Sequence, residues 1–224
     1  MNDKVLFNRE SSAKYNKMQK LSRDFYLRTD VLQIAKELLG KVIVTKFDGI
    51  YTAGRIVETE AYAGAIDKAS HAYNFRRTNR TEIMFGNGGV SYVYLCYGIH
   101  HLFNVVCNTN NNPDAVLIRG IEPLEGLEAM LQRFNKQTFD TSIGRGPGNA
   151  SKALGILTHH SGIRLQSSQL YLADDGTSDF RMTVSKRIGV DYAAEHAHWP
   201  YRFFIDGNQH VSKHPFNKEG ILLI

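Results

Sequence analysis

Residues 54–62 constrain the fold most, because a strand pattern there carries acidic side chains. The run reads Gly-Arg-Ile-Val-Glu-Thr-Glu-Ala-Tyr, and its β-branched residues favour an extended conformation. Side chains alternate along a strand, so Glu58, Glu60 and Tyr62 are expected to share a face with Ile56. A solvated strand end would explain this face, and so would the mouth of a pocket. The residues of this stretch leave both interpretations open.

Strands dominate the predicted secondary structure. Lys41–Phe47 is predicted as a strand, and Asp48-Gly49, a dipeptide typical of two-residue hairpins, joins it to residues 54–62. Three further strands without a helix between them indicate an antiparallel meander, namely Ser91–Cys96, His100–Cys107 and Ala115–Ile121. The C-terminal third adds strand-like segments at Gly162–Leu172, Arg181–Ile188 and Tyr201–Ile205.

Three helices are predicted around these strands. The first runs from about Val31 to Leu39, where Asp30 and Gln33 fit a capping box. The second opens at Pro123, because proline suits the first turn of a helix. Its buried stripe would consist of Leu127, Met130, Leu131 and Phe134. A short third helix ends at about Leu154.

Length and composition fit one domain. The 224 residues, with 42% hydrophobic and 22% charged, are enough to bury one full core. Residues 1–24 are polar, and we expect them to form a loosely ordered N-terminal arm. Residues 25–224 are expected to form a single α+β domain, a curved, mostly antiparallel sheet with surrounding helices.

Net charge and cysteine content bear on the binding partner and on the cellular compartment. A net charge of +5 suits a polyanionic partner such as nucleic acid without requiring one. Cys96 and Cys107 lie in apolar runs, which favours buried, reduced thiols inside a cell. No run is long enough to span a membrane and no secretory pattern is present, so we expect an intracellular protein, in the cytoplasm or nucleoid of a bacterium.

The nine histidines raise a metal-site hypothesis, which their spacing does not favour. Neighbouring residues of a strand point to opposite faces, so His100-His101 and His159-His160 are poor chelating pairs. His-Glu-x-x-His and Cys-x-x-Cys spacings do not occur.

Asn104 and Arg119 are polar residues on strand faces that are otherwise apolar. Burying either without a partner costs roughly 1–3 kcal/mol, so each needs a partner in the fold. A structural amide is one explanation for Asn104, and a pocket residue is the other. Arg119 could hold a pocket carboxylate in its charged state. Tyr97, at a turn beside Gly98, could insert into a base stack.

The chain resembles a known family, the alkyladenine (3-methyladenine) DNA glycosylases of the mammalian type. The likeness begins with residues 55–62 and His71 and continues in order from about Asp24 to Ser212. Its other motifs are Thr78-Asn79-Arg80, Met84-Phe85, Tyr92-Val93-Tyr94, Tyr97-Gly98, Asn104, residues 116–126, Gly146-Pro147-Gly148, residues 153–156 and Arg187-Ile188-Gly189. Several motifs in one order make the resemblance specific.

The resemblance implies a monofunctional DNA N-glycosylase without metal, cofactor or catalytic lysine. Its partner would be double-stranded DNA containing damaged purines of the 3-methyladenine, 7-methylguanine, hypoxanthine and ethenoadenine class. The enzyme would flip the base out and hydrolyse its bond to the sugar, leaving an abasic site. We expect it to act as a monomer.

The resemblance also implies residue roles. Glu60 would be the general base, oriented with its water by Arg119. The base pocket would consist of Tyr62, His71, Tyr94 and Asn104, with Asn104 clashing with the 2-amino group of guanine. Tyr97 would fill the gap left in the duplex. Candidates for contacts to the DNA backbone are Arg76, Arg77, Arg145 and Lys186.

The sequence departs from the family pattern at two places, and two other functions are alternatives to a DNA glycosylase. Ala150 replaces an expected leucine, which leaves the packing of its helix open. His100-His101 replaces more apolar residues beside Tyr97, which leaves the damage preference open. One rival is a damaged-DNA-binding protein of the same fold without turnover, and the intact Glu60 argues against it. The other is a metal-dependent hydrolase built on the histidines.

Overall fold

The hairpin at Asp48-Gly49 forms the middle of the sheet, as the sequence predicts. In the computed structural model, which describes residues 18–223, strand β2 (Val42–Phe47) pairs antiparallel with β3 (Ile50–Tyr62). Asp48 and Gly49 have φ of 50° and 77°, and two consecutive positive φ values match the type I′ turn that fits the twist of paired strands.

Within residues 18–223, ten strands form one open sheet in which every pairing is antiparallel. The other eight are β1 (Gln19–Lys20), β4 (Ser91–Cys96), β5 (His100–Cys107), β6 (Asp114–Glu125), β7 (Leu170–Asp174), β8 (Met182–Ser185), β9 (Arg202–Ile205) and β10 (Ile221–Leu223). The main order is β1-β7-β2-β3-β6-β5-β4, and the predicted meander β4-β5-β6 is confirmed. Strand β3 also pairs with β9, which leads to β8 and β10.

Four α-helices lie around this sheet in the described residues: α1 (Arg23–Tyr26), α2 (Val31–Leu38), α3 (Leu127–Phe134) and α4 (Pro147–Leu154). Helix α2 starts as predicted, because the Asp30 side chain accepts a hydrogen bond from the Gln33 amide at 2.9 Å. The Gln33 side chain donates to Glu37 instead of returning to Asp30, so only half of the predicted capping box forms. The α+β class and the mostly antiparallel sheet are confirmed.

The helix predicted to open at Pro123 is wrong at its start. Strand β6 continues through Pro123, which pairs with Gly54, and helix α3 begins only at Leu127. Proline is tolerated there because β5 pairs with β6 only as far as Leu117, so no strand on that side needs an N–H donor. In the predicted buried stripe, Met130 is buried and Leu131 and Phe134 are half-buried against the core, whereas Leu127 is 41% exposed.

Gly126 separates the strand from the helix. Its φ is 75°, and a Cβ there would lie 2.3 Å from the Tyr51 carbonyl oxygen. Only glycine accommodates both the left-handed backbone and this close approach.

Two predicted segments, the N-terminal arm and the strand from Gly162, have bounds in the structure that differ from the prediction. Of the predicted arm, residues 1–17 lie outside the described residues, while Gln19 and Lys20 pair with β7 and Leu21 is buried. The strand predicted from Gly162 begins at Leu170, because the preceding segment makes only isolated bridges such as Val90 with Arg164.

The main core lies where the helices cover the central strands. Helix α4 packs against β5 and β6, and α2 packs against β3. Ala150 is buried on α4 and Ile34 on α2. Cys107 is fully buried and Cys96 is half-buried, and both are free thiols.

Candidate active site

Two bulges between β3 and β6 place Arg119 beside the acidic residues of β3. Ile56 pairs with Ile121 and Glu58 with Gly120, while Thr59 pairs with Ile118. Arg119 therefore has no residue opposite it, and the simple alternation expected along β3 is interrupted after Ile56. A bulge bends the strand and redirects its side chains.

Arg119 connects the two glutamates. Its Nε lies 3.2 Å from Glu58 Oε1 and its Nη1 lies 3.3 Å from Glu60 Oε2, with both carboxylates fully buried. Burial opposes the charge of Arg119, but the two carboxylates more than offset this effect and raise its pKa. The predicted contact of Arg119 with a pocket carboxylate is therefore present in the structure.

Glu58 is saturated by structural partners. Its Oε1 accepts from Arg202 Nε at 2.7 Å and its Oε2 accepts from the Ser212 amide at 2.8 Å. Burial is the largest influence and raises its pKa, yet Arg119, Arg202 and the Ser212 hydrogen bonds together bring it below the usual value. Glu58 thus stays ionised inside the fold.

Glu60 is held by a different set of donors. Its Oε1 accepts from the Ile188 amide at 2.7 Å, and its Oε2 accepts from the Tyr62 hydroxyl at 2.9 Å as well as from Arg119. Burial, followed by the charge of Glu60, raises the pKa of Tyr62 well above its ordinary value, so the phenol remains a donor. Tyr62 is the direct contact between Glu60 and the cavity described next.

A cavity with five aromatic residues in its wall, called the aromatic cavity below, lies beside this carboxylate. It is lined by Tyr62, Ala69, Ser70, His71, Met84, Tyr92, Tyr94, Asn104, Ala115 and Tyr192. The structure therefore brings together all four residues predicted for a base pocket. Flat rings on several sides suit a planar aromatic ligand that can stack.

His71 is fixed within the cavity wall. Its Nδ1 lies 2.8 Å from the Tyr92 hydroxyl, and its ring centroid lies 4.6 Å from that of Tyr94 at a steep angle. Burial, reinforced by Arg80 and Arg76, lowers the pKa of His71 to about 4. His71 is therefore neutral near pH 7, with one ring nitrogen as a donor and the other as an acceptor.

Asn104 is both a structural amide and a residue of the cavity wall, which are the two interpretations that the sequence left open. Its Nδ2 donates to the carbonyl oxygens of Tyr92 at 3.1 Å and Leu102 at 3.3 Å, so the amide nitrogen is structurally satisfied. The side chain also lines the cavity. These hydrogen bonds hold the amide in one orientation against the space between the rings.

Tyr97 lies at the tip of the β4–β5 hairpin, outside the cavity. It is 91% exposed with φ of 52°, and Gly98 follows with φ of 73°. Ile99 is 70% exposed, so the tip is an apolar projection. His100 follows it, and Gly148 lies so close to the imidazole that a Cβ there would be 2.9 Å from Nδ1.

The four residues predicted to contact the DNA backbone differ in their exposure and in their contacts within the protein. Arg76 is exposed, whereas Arg77 bonds to Asn111 at 2.7 Å and Lys186 pairs with Glu219 at 3.2 Å. Arg145 is half-buried and donates to Thr141.

Several residues around Glu60 escaped the sequence analysis. Arg202, the Ile188 amide and the buried pair of Asp67 with Arg187 had no assigned role, although Arg187-Ile188-Gly189 carried part of the resemblance. The available signal was a charged residue flanked by apolar ones, as in Arg202-Phe203-Phe204-Ile205.

Across residues 18–223, no three histidine, cysteine or acidic side chains are grouped so that they could hold a metal ion. Within the same range, no helix is long and apolar enough to cross a membrane.

Comparisons with known proteins establish the family to which the chain belongs. The family model described as methylpurine-DNA glycosylase (MPG) matches residues 24–209. A protein of Clostridium perfringens strain SM101, named "Putative 3-methyladenine DNA glycosylase", is 47% identical over 87% of this chain and 99% of its own length. A protein of Desulfitobacterium hafniense strain Y51 with the same name is 45% identical over 87% of this chain and 99% of its own.

These matches define the chain as a DNA glycosylase, an enzyme of base excision repair that hydrolyses the N-glycosidic bond. The chain belongs to the methylpurine-DNA glycosylase family, and the resemblance found in its sequence is confirmed.

Proposed function

We propose that this glycosylase flips alkylated and deaminated purines out of double-stranded DNA into the aromatic cavity and excises them. The substrate class would include 3-methyladenine, 7-methylguanine, hypoxanthine and ethenoadenine. One observation carries the proposal: a fully buried carboxylate, Glu60, is hydrogen-bonded to Tyr62, which lines the aromatic cavity. A base within the stack cannot expose its glycosidic bond, so the nucleotide has to leave the duplex.

Glu60 would act as the general base. Loss of the base gives the sugar oxocarbenium character, which an adjacent carboxylate stabilises while it accepts a proton from the attacking water. Tyr62, Arg119 and the Ile188 amide hold the two carboxylate oxygens. Donors fixed in a buried site keep the charge in place without reorganisation during the reaction.

The cavity walls would bind the base by stacking rather than by a strict hydrogen-bond match. Tyr94 and His71 cross at a steep angle, and Tyr62 lies against the guanidinium of Arg187. Asn104 would restrict the purine edge, because its orientation is fixed by two backbone carbonyls. A site that accepts several lesions has to gain selectivity partly from what it rejects.

The exposed tip of the β4–β5 hairpin would support the flipped state. Tyr97 would enter the gap in the stack, as apolar and aromatic wedges do in other proteins that deform DNA. Its 91% exposure and its absence from the cavity lining suit a residue that contacts the duplex instead of the extruded base.

The test is excision from duplexes that each carry a single hypoxanthine, ethenoadenine or 7-methylguanine, followed by alkali to cleave abasic sites. We expect free base and alkali-labile strands with the wild type and excision slower by about 10²-fold or more with Glu60→Gln. Product that depends on a divalent cation, and is lost with EDTA, would contradict the proposal. Binding without any excision would favour a silent damage-binding protein.

A further inference from the structure

The buried ion pair of Arg187 with Asp67 lies between Glu60 and the loop that follows β3 and lines the cavity. Arg187 is 1% exposed and Asp67 is 0% exposed. Arg187 Nη2 donates to Asp67 Oδ1 at 2.9 Å, and its Nη1 donates to the other carboxylate oxygen. A buried pair with this two-pronged geometry fixes both backbones to which it is attached.

The Asp67 end of the pair organises the loop that follows β3. Oδ1 accepts from the Ala69 amide at 3.0 Å, and Oδ2 accepts from the Ala63 amide at 3.3 Å. Ala69 lines the cavity, and His71 follows two residues later. The carboxylate therefore sets the path of the loop that carries His71.

The Arg187 end reaches the surroundings of Glu60. Its Nη1 donates to the carbonyl oxygen of Ala61 at 2.9 Å, and its guanidinium lies 4.8 Å from the ring centroid of Tyr62. The next residue, Ile188, supplies the amide that donates to Glu60 at 2.7 Å. Two of the three groups bonded to Glu60 are thus attached to, or packed on, Arg187.

We propose that Arg187 and Asp67 are positioning residues for excision, which hold the Ile188 amide and the Tyr62 ring against Glu60. This inference rests on the proposed function of Glu60. A loosened pair would weaken the hydrogen bonds that the Tyr62 hydroxyl and the Ile188 amide donate to the Glu60 carboxylate, and these donors favour a charged acceptor. Excision by the variant would then fail first on the acidic side.

The chain contains a matched control for the pair. Arg55 lies earlier on β3 and donates to Asp175 at 3.0 and 2.8 Å, in the same two-pronged geometry but without contact to Glu60. Asp67→Asn and Asp175→Asn each remove one negative charge from an arginine pair. Only the first change affects the groups that hold Glu60.

The experiment measures single-turnover excision of 7-methylguanine against pH for the wild type and both variants. This base is already cationic and needs no protonation to leave, so the acidic limb reports groups of the enzyme. For Asp67→Asn we expect the acidic limb to move to higher pH and the rate near neutrality to fall about tenfold or more. Asp175→Asn should follow the wild-type curve once rates are divided by the folded fraction.

Identical acidic limbs for the wild type and Asp67→Asn would overturn the positioning role. If Asp67→Asn does not fold, Arg187→Lys gives the same readout, because lysine keeps the charge but cannot bond both carboxylate oxygens and Ala61 together. Glu60→Gln separates the two failures. Full activity in Glu60→Gln overturns the proposed function and this inference together, while an inactive Glu60→Gln beside a wild-type limb in Asp67→Asn overturns this inference alone.

Discussion

Arg202 donates from Nε to Glu58 Oε1 at 2.7 Å, and this pairing gives the two glutamates of β3 different tasks. Glu58 has an arginine of its own and an amide from Ser212, so its negative charge serves the packing of β9 against β3. Glu60 shares only Arg119 and otherwise faces Tyr62 and the Ile188 amide. The carboxylate with fewer arginines bonded directly to it is the one that lies next to the cavity.

Replacing Glu60 with glutamine should reduce single-turnover excision by about 10²-fold or more, because glutamine cannot accept a proton. Binding to a damaged duplex should remain close to wild type. Glu58→Gln is the control: it leaves Arg202 and Arg119 facing a neutral group, so it should lower the free energy of unfolding by about 3–5 kcal/mol. Its excision rate per folded molecule should change far less, and equal rate losses would mean that the general base is misassigned.

Replacing Tyr97 with alanine should weaken excision from duplexes without lowering stability, because the side chain is 91% exposed. The effect should be smaller for a lesion in a mispair that opens easily, since less unstacking has to be supported. Rates from matched and mismatched duplexes test this. Ile66→Ala, a change at another exposed apolar residue, is the control and should leave both rates unchanged.

His71 should make the protein less stable as the pH falls from about 6.5 to about 4. Its pKa is lowered to about 4 in the fold, so the unfolded chain binds the proton first and the folded state loses stability across this window. The loss of free energy of unfolding caused by His71 across this pH range is of order 1–3 kcal/mol. Urea unfolding of the wild type and His71→Gln at several pH values measures it, and a pH slope unchanged by the substitution would contradict the assignment. His160 has a similar lowered pKa of about 4 and remains in both proteins.

Shortening Asn104 to serine should shift selectivity towards guanine. Guanine differs from hypoxanthine by its 2-amino group, and a fixed amide in the cavity wall would exclude that group. The measurement compares excision of guanine and hypoxanthine opposite thymine. Asn108→Ser is the control, since Asn108 is buried near the same strand but bonds to Asp114 outside the cavity. If the rate ratio of the Asn104 variant stays at the wild-type value, Asn104 is only a structural amide.

Duplex binding should weaken steeply with salt, because each phosphate contact releases counterions. Arg76→Gln should reduce the slope of log affinity against log salt by about one unit if Arg76 contacts a phosphate. Arg181→Gln, at a 73% exposed arginine paired with Asp206, should leave the slope unchanged. A wild-type affinity independent of salt would contradict a duplex-binding surface.

Local chemistry was enough to predict the elements whose neighbours in space are also neighbours in sequence. Asp48-Gly49 forces a hairpin by its backbone preferences, and Asp30 caps α2 through the amide three residues on. The meander of β4, β5 and β6 follows from short connections between strands. The order of motifs along the chain also identified the family.

Only the tertiary structure decided the features that depend on partners far along the chain. Pro123 lies in a strand because β3 pairs with it and β5 has already ended. Arg202 and Glu58 are 144 residues apart, and Arg187 and Asp67 are 120 apart. The secondary-structure propensity of a residue and its spacing from its neighbours do not predict a partner so far along the chain. The sequence alone therefore predicted Glu60 as the candidate base and the strand that carries it. Two of the donors that hold Glu60, Arg119 and the Ile188 amide, depend on how β6 and the segment around Ile188 pack against that strand.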